Sequence, residues 1–176
     1  PSRYSFELKY EDEKELIAVT DKSSGESFII PEETFVDESY SIMSIYPTEN
    51  YLYYMKGRNS GVSIYRIKLS DMTREEIIKS SDTADKSILG LTFSWSDTEN
   101  RFSAVRLFTD EKNIYLIDKN GMVFVLNPFA EKITDCTCII EESVLGGCIF
   151  DGKAIYYIDE DGVQKMYNVV NKTFRI

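Results

Sequence analysis

The side chains that most often carry enzymatic chemistry are either missing from this sequence or badly spaced for it. Histidine is absent altogether. That removes Ser-His-Asp triads, Cys-His dyads, histidine general bases and imidazole-ligated metals. Carboxylates are plentiful and occur as neighbours in Glu32-Glu33, Glu75-Glu76 and Glu141-Glu142. Glycoside hydrolysis needs two carboxylates flanking one bond. Adjacent residues on a strand project to opposite faces, so these pairs read as solvated loop or edge charge. Asp118-Lys119-Asn120-Gly121 and Asp159-Glu160-Asp161-Gly162 fall short of the roughly six to eight oxygens that calcium requires. Asp and Asn ahead of Gly are what a hairpin turn prefers.

Three cysteines, Cys136, Cys138 and Cys148, are too few and odd in number for a disulfide scaffold. The Cys136-Thr137-Cys138 spacing alternates as a strand does and places both thiols on one sheet face, so a buried, reduced pair is expected. One C-x-C supplies two ligands where structural zinc takes about four. No phosphate-cradling glycine loop or nucleophile elbow is present. The sequence therefore implies no metal and no cofactor.

The elements that must position any site follow from composition and repetition. The 176 residues carry 20 Lys+Arg against 30 Asp+Glu, a formal charge of −10, and 43% of them are hydrophobic. The length suits one domain with a sizeable core. The acidity argues against nucleic acid or an anionic membrane surface as partner, while allowing an acidic face for a basic protein. No apolar run reaches the ~18 residues of a membrane-spanning helix, so no membrane insertion is expected.

Four apolar runs recur: Leu16-Ile17-Ala18-Val19, Leu52-Tyr53-Tyr54-Met55, Ile114-Tyr115-Leu116-Ile117 and Ile155-Tyr156-Tyr157-Ile158. Each is followed by a polar turn containing Gly and a second alternating run. The runs begin 36, 62 and 41 residues apart, and the first and last intervals approach the ~40–45 residues of a four-stranded propeller blade. Tyr4/Phe6/Leu8/Tyr10 and Met122/Phe124/Leu126 show the period of two that half-buried strands display. The spacing predicts strands at 34–37, 102–109, 132–137 and 144–150, among others. A capping box of Thr73 and Glu76 offers a helix over 72–79, but the corresponding stretch of the other units reads as strand, and strand is preferred here.

The expected fold is all-β, a β-propeller of about four four-stranded antiparallel blades at 1–38, 39–80, 101–138 and 143–176, with an insertion at 81–100. Ile155-Tyr156-Tyr157-Ile158-Asp159, with Val163 and Tyr167 after it, resembles the repeat of YWTD-type β-propellers and their bacterial relatives. Tyr115-Leu116-Ile117-Asp118 keeps the Tyr and Asp of that motif without its Trp and Thr, and Tyr53-Tyr54-Met55-Lys56 keeps only the Tyr. The recurring Tyr53, Tyr115 and Tyr156 are expected to pack between blades.

An end blade exposes an apolar face, which propellers avoid by closing into a ring. Each unit here is contiguous, with no blade mixing strands from both termini. That layout favours a longer propeller supplying further blades, or a second copy of this chain, over a self-closed ring of four. The expected function is non-enzymatic: a binding or scaffolding module engaging a protein partner through its loop faces. Phe93 and Trp95, on one side of an extended stretch in the insertion, are the candidate binding residues. The alternatives are a carbohydrate-binding propeller and a lyase or hydrolase with carboxylates converging from different blades. The resemblance and the tyrosine-rich surface lean toward a secreted or cell-surface setting, and the unpaired cysteines toward the cytoplasm.

Overall fold

The computed structural model describes residues 3–11, 14–30, 41–58, 61–78, 106–117, 120–128, 136–144 and 147–176. Phe93, Trp95 and the whole 81–100 insertion lie outside the described residues, as does the strand expected at 34–37. Every regular element among the described residues is a strand.

Among the described residues, fifteen strands form four antiparallel sheets, each built from consecutive segments. Sheet 1 holds β1 (Tyr4–Glu11), β2 (Lys14–Asp21) and β3 (Ser27–Ile29). Sheet 2 holds β4 (Ser41–Pro47), β5 (Tyr51–Arg58), β6 (Gly61–Lys68) and β7 (Arg74–Ile78). Sheet 3 holds β8 (Arg106–Thr109), β9 (Ile114–Ile117), β10 (Val123–Leu126) and β11 (Thr137–Ile140). Sheet 4 holds β12 (Cys148–Phe150), β13 (Ala154–Ile158), β14 (Gln164–Asn168) and β15 (Thr173–Arg175). The strands run in sequence order across each sheet, as short hairpin connections require.

The apolar runs sit on the second strands, and their lack of alternation has a physical cause. A strand sandwiched between two other sheets buries both faces, so its whole length must be apolar. Leu52-Tyr53-Tyr54-Met55 and Ile114-Tyr115-Leu116-Ile117 are buried at every position. Leu52 and Tyr54 pack with Ile17, Val19 and Ile30 of sheet 1. Tyr53 and Met55 pack the other way, with Leu107, Ile114 and Leu116 of sheet 3. Tyr115 and Ile117 then meet Ile155, Tyr157 and Tyr167 of sheet 4. Three apolar layers thus separate four stacked sheets, and no core cluster among the described residues joins sheet 4 to sheet 1.

Residues 74–78 form the edge strand β7, paired with β6, and not a helix. Asp71 Oδ1 accepts the Thr73 N–H at 3.0 Å, closing the turn into the strand. The outer strand of sheet 3 among the described residues is Thr137–Ile140, while most of the strand expected at 132–137 lies outside the described residues. Ile140 and half-buried Ile139 drop into the layer against sheet 4, and a bulge between Val123 and Phe124 sets that register. The first strand of sheet 4 begins at Cys148, not Val144, because Gly147 takes φ 150°. Buried Val144 instead donates its N–H to the Gly121 carbonyl at 3.0 Å.

Candidate functional site

The hairpins that follow the first strands of sheets 2, 3 and 4 meet at one end of the stack. Strand β4 packs on β8, and β1 on β4, so the first strands form the inner edges of the sheets. Near the ends of these strands stand Tyr46, Phe108 and Phe150. The Tyr46 ring meets Phe108 edge-on at 5.9 Å between centroids. Phe150 lies 5.8 Å from Phe108 and 5.2 Å from Tyr115. Such tilted contacts suit the ring quadrupoles and add to the burial of apolar area.

Above the rings is a cavity of about 540 Å³, walled by all three hairpins. Its lining includes Tyr46 and Phe150 together with four carboxylates, Glu49, Asp110, Glu111 and Asp151, and it contains no Lys or Arg. The mouth is therefore acidic over an aromatic floor.

Two of the carboxylates are held by the same local design. Asp110 Oδ1 accepts the N–H groups of Lys112 and Asn113 at 3.0 and 2.7 Å, and Oδ2 accepts the Tyr115 hydroxyl at 3.1 Å. Asp151 Oδ1 accepts the N–H groups of Lys153 and Ala154 at 2.8 and 2.7 Å, and Oδ2 accepts the Tyr156 hydroxyl at 3.1 Å. In the sheet 2 hairpin Thr48 takes this place, its Oγ1 accepting the Tyr51 N–H at 3.0 Å. The Lys153 N–H holds the Asp151 carboxyl below the usual carboxylate range, with the Ala154 N–H and Tyr156 hydroxyl acting the same way. Burial, then the negative charge of Asp110, raises Tyr115 above an ordinary phenol. Burial, then Asp151, raises Tyr46. The Tyr115 and Tyr156 hydroxyls are neutral donors, and the Asp151 carboxyl stays ionised.

A second polar cluster binds sheet 3's exit loop to sheet 4. Glu142 accepts from the Tyr157 hydroxyl and from Lys165 Nζ, the latter at 2.5 Å. Lys165 Nζ also pairs with Asp159 Oδ2 at 2.8 Å. The ammonium holds both carboxyl groups below their usual range, and they in turn raise Lys165. This closed triad joins the sheets and leaves its members committed to one another.

The other residues singled out from sequence fall as follows. Tyr53 and Tyr115 pack against the next sheet, as expected, while Tyr156 faces outward and is exposed. Asp159 Oδ1 accepts the N–H groups of Asp161 and Val163, and Gly162 takes φ 80°, so this segment works as a hairpin turn. Glu75 pairs with Arg66 across the strands while Glu76 stands opposite Tyr65, so the two glutamates diverge. The three cysteines are in no disulfide and are half-buried, so Cys136 and Cys138 are less buried than expected. Burial pushes the Cys148 thiol up to about 11.

The mouth itself escaped the sequence reading, although its signal was present. Asp110-Glu111-Lys112-Asn113-Ile114-Tyr115 and Asp151-Gly152-Lys153-Ala154-Ile155-Tyr156 share the pattern D-x-K-x-I-Y, 41 residues apart.

In sequence, no family model and no curated protein matches this chain. In structure, TolB from Acinetobacter baumannii aligns with a TM-score of 0.59 at 14% identity, over 99% of this chain and 41% of TolB. The fold is that of a β-propeller. The nidogen propeller in a nidogen/laminin complex agrees, with a TM-score of 0.55 at 11% identity, over 99% of this chain and 58% of that one. The chain thus spans about half the length of the solved propellers it matches. Its four sheets are blades 1 to 4, and the YWTD resemblance extends from the sequence to the fold.

Proposed function

We propose that this chain is a non-enzymatic binding module whose acidic mouth receives a Lys- or Arg-bearing segment of another protein. The observation that carries the reading is the convergence of three blade hairpins on one cavity that pairs four carboxylates with the Tyr46 and Phe150 rings. A cation over an aromatic face gains about 0.5–2 kcal/mol, more as water is excluded. Rim carboxylates add steering and reject acidic competitors. Hairpin tips on a rigid ring are also where propellers can vary their partners without disturbing the core. Phe93 and Trp95 are proposed on sequence grounds alone as a further contact for the same class of partner.

A hydrolase or lyase would need carboxylates converging from different blades, and Glu49, Asp110 and Asp151 come from three. Asp110 already accepts four hydrogen bonds and Asp151 three. A general acid also needs a raised pKa, whereas that of Asp151 is lowered. The arrangement favours recognition over proton transfer.

The test uses fluorescently labelled oligolysine as the probe, followed by anisotropy. Glu49→Gln/Glu111→Gln should weaken binding about tenfold, the effect of ~1.4 kcal/mol, and Tyr46→Leu should weaken it further. A charge-matched control, Glu7→Gln/Glu26→Gln on blade 1, should change little. Equal losses in both double variants would reduce the effect to net charge and overturn the proposal.

A further inference from the structure

The three hairpins that wall the mouth are equivalent turn for turn. Pro47 pairs with Leu52, Thr109 with Ile114 and Phe150 with Ile155, so each pair closes a loop of four residues. The first loop position is Thr48, Asp110 or Asp151, and its side chain holds its own turn. The second position is Glu49 in blade 2, Glu111 in blade 3 and Gly152 in blade 4, and all three line the cavity. Among the described residues the Glu49 and Glu111 carboxylates are in no hydrogen bond or ion pair. Blades 2 and 3 therefore each present one uncommitted carboxylate to the mouth, and blade 4 presents none at that position.

Glu111 holds its place against a local preference. It takes φ 67°, where Gly152 of the next blade takes φ 90°, and this left-handed region favours glycine over any residue with a side chain. Buried Thr109 fixes the turn, its Oγ1 accepting the Glu111 N–H at 2.9 Å and donating to the Asn113 carbonyl at 2.8 Å. Glycine would satisfy the same backbone, so what Glu111 adds is its carboxylate. At Gly152 nothing lies within 4 Å of the place a Cβ would take, which leaves that side of the mouth open.

The chain's own arginines show which cation suits such a setting. Arg66 lies over the Tyr51 ring at 4.8 Å while its Nε donates to Glu75 at 2.8 Å. Arg3 lies over the Tyr4 ring at 5.3 Å while its Nε donates to Asp21 at 2.9 Å. A guanidinium does both at once because its N–H donors lie in the plane of the fork and its face stays free, whereas an ammonium is a compact point charge.

We propose, resting on the binding role given to the mouth above, that it is a receptor for arginine and not for lysine. One guanidinium of the partner protein is held between Glu49 and Glu111 against the Tyr46 ring, and the partner's backbone leaves past Gly152. Glu49 and Glu111 are then the residues that set specificity, while Asp110 and Asp151 shape the turns around them.

The test is a swap, Glu111→Gly/Gly152→Glu. It keeps the net charge, the number of carboxylates in the mouth and one glutamate in the left-handed region, but moves that carboxylate from blade 3 to blade 4. Labelled oligoarginine and oligolysine of equal length are compared by anisotropy on the full chain. Wild type should bind oligoarginine about tenfold more tightly than oligolysine, and the swap should bring that ratio to about one. Glu49→Gln, which leaves the backbone as it is, should lower the ratio in the same way, and circular dichroism with a cooperative melt should show each variant folded. A swap that keeps the wild-type ratio, or a wild type indifferent between the probes, would overturn the arginine assignment and leave the acidic mouth as a binding site. If Glu49→Gln/Glu111→Gln binds oligolysine no more weakly than the blade 1 control does, the binding role itself falls, and the arginine assignment with it.

Discussion

Tyr115 donates its hydroxyl to Asp110, five residues earlier, at 3.1 Å, and Tyr156 makes the same bond to Asp151 at the same distance. One aspartate therefore closes the hairpin through backbone N–H groups and fixes the ring of the next strand. Asp110→Ala should cost about 1–3 kcal/mol, since it strands two turn N–H groups and a phenol on a buried ring. Asp151→Ala should cost less, because exposed Tyr156 can bond water instead. Urea unfolding followed by far-UV circular dichroism compares the two.

The Glu142–Lys165–Asp159 triad makes a pH prediction. Both carboxyl pKa values are depressed in the folded chain. Their contribution is therefore present above the ordinary carboxylate range of ~4 and lost as pH falls through the depressed folded values. Lys165→Met should lower the melting temperature near neutrality, and the gap to wild type should close as the solution is acidified. A gap independent of pH would show that the ammonium contributes by packing alone.

Gly162 sits at φ 80° with no atom near the place a Cβ would occupy. Strain in the backbone, not crowding, is therefore what a side chain would meet. Gly162→Ala should cost about 1–2 kcal/mol, and Gly162→Asn less, because Asn tolerates the left-handed region better. Thermal melts of the pair separate conformational strain from steric clash.

The Cys148 thiol, raised to about 11 by burial, is poorly populated as thiolate at mildly alkaline pH. Alkylation at this position should be slow in the folded chain and should accelerate sharply in urea. Mass spectrometry of peptides labelled at a series of times reads this directly.

The periodic architecture was legible in the sequence because propeller physics writes itself locally. Leu52–Met55 and Ile114–Ile117 are apolar without a break since each faces a sheet on both sides, and the turn at Asp159–Gly162 needs a residue with positive φ. The 74–78 segment shows the limit of local signals. Its capping pattern permits a helix, and pairing with β6 decides for strand. In blade 3 the strand 137–140 puts Ile139 and Ile140 into the layer against blade 4, a placement that stacking between blades decides.

The acidic mouth was written in the repeated D-x-K-x-I-Y, yet its meaning was not. Sequence determined that Asp110 and Asp151 begin equivalent turns, because two residues of backbone and a tyrosine five positions on suffice to hold each carboxylate. Only the tertiary structure decided that these turns, with Glu49, gather over Tyr46 and Phe150, since blades distant in sequence must first stack along their inner strands. The same stacking decided the fates of Tyr115 and Tyr156. They share one motif and one hydrogen bond, and differ because blade 4 covers the first and no described blade covers the second.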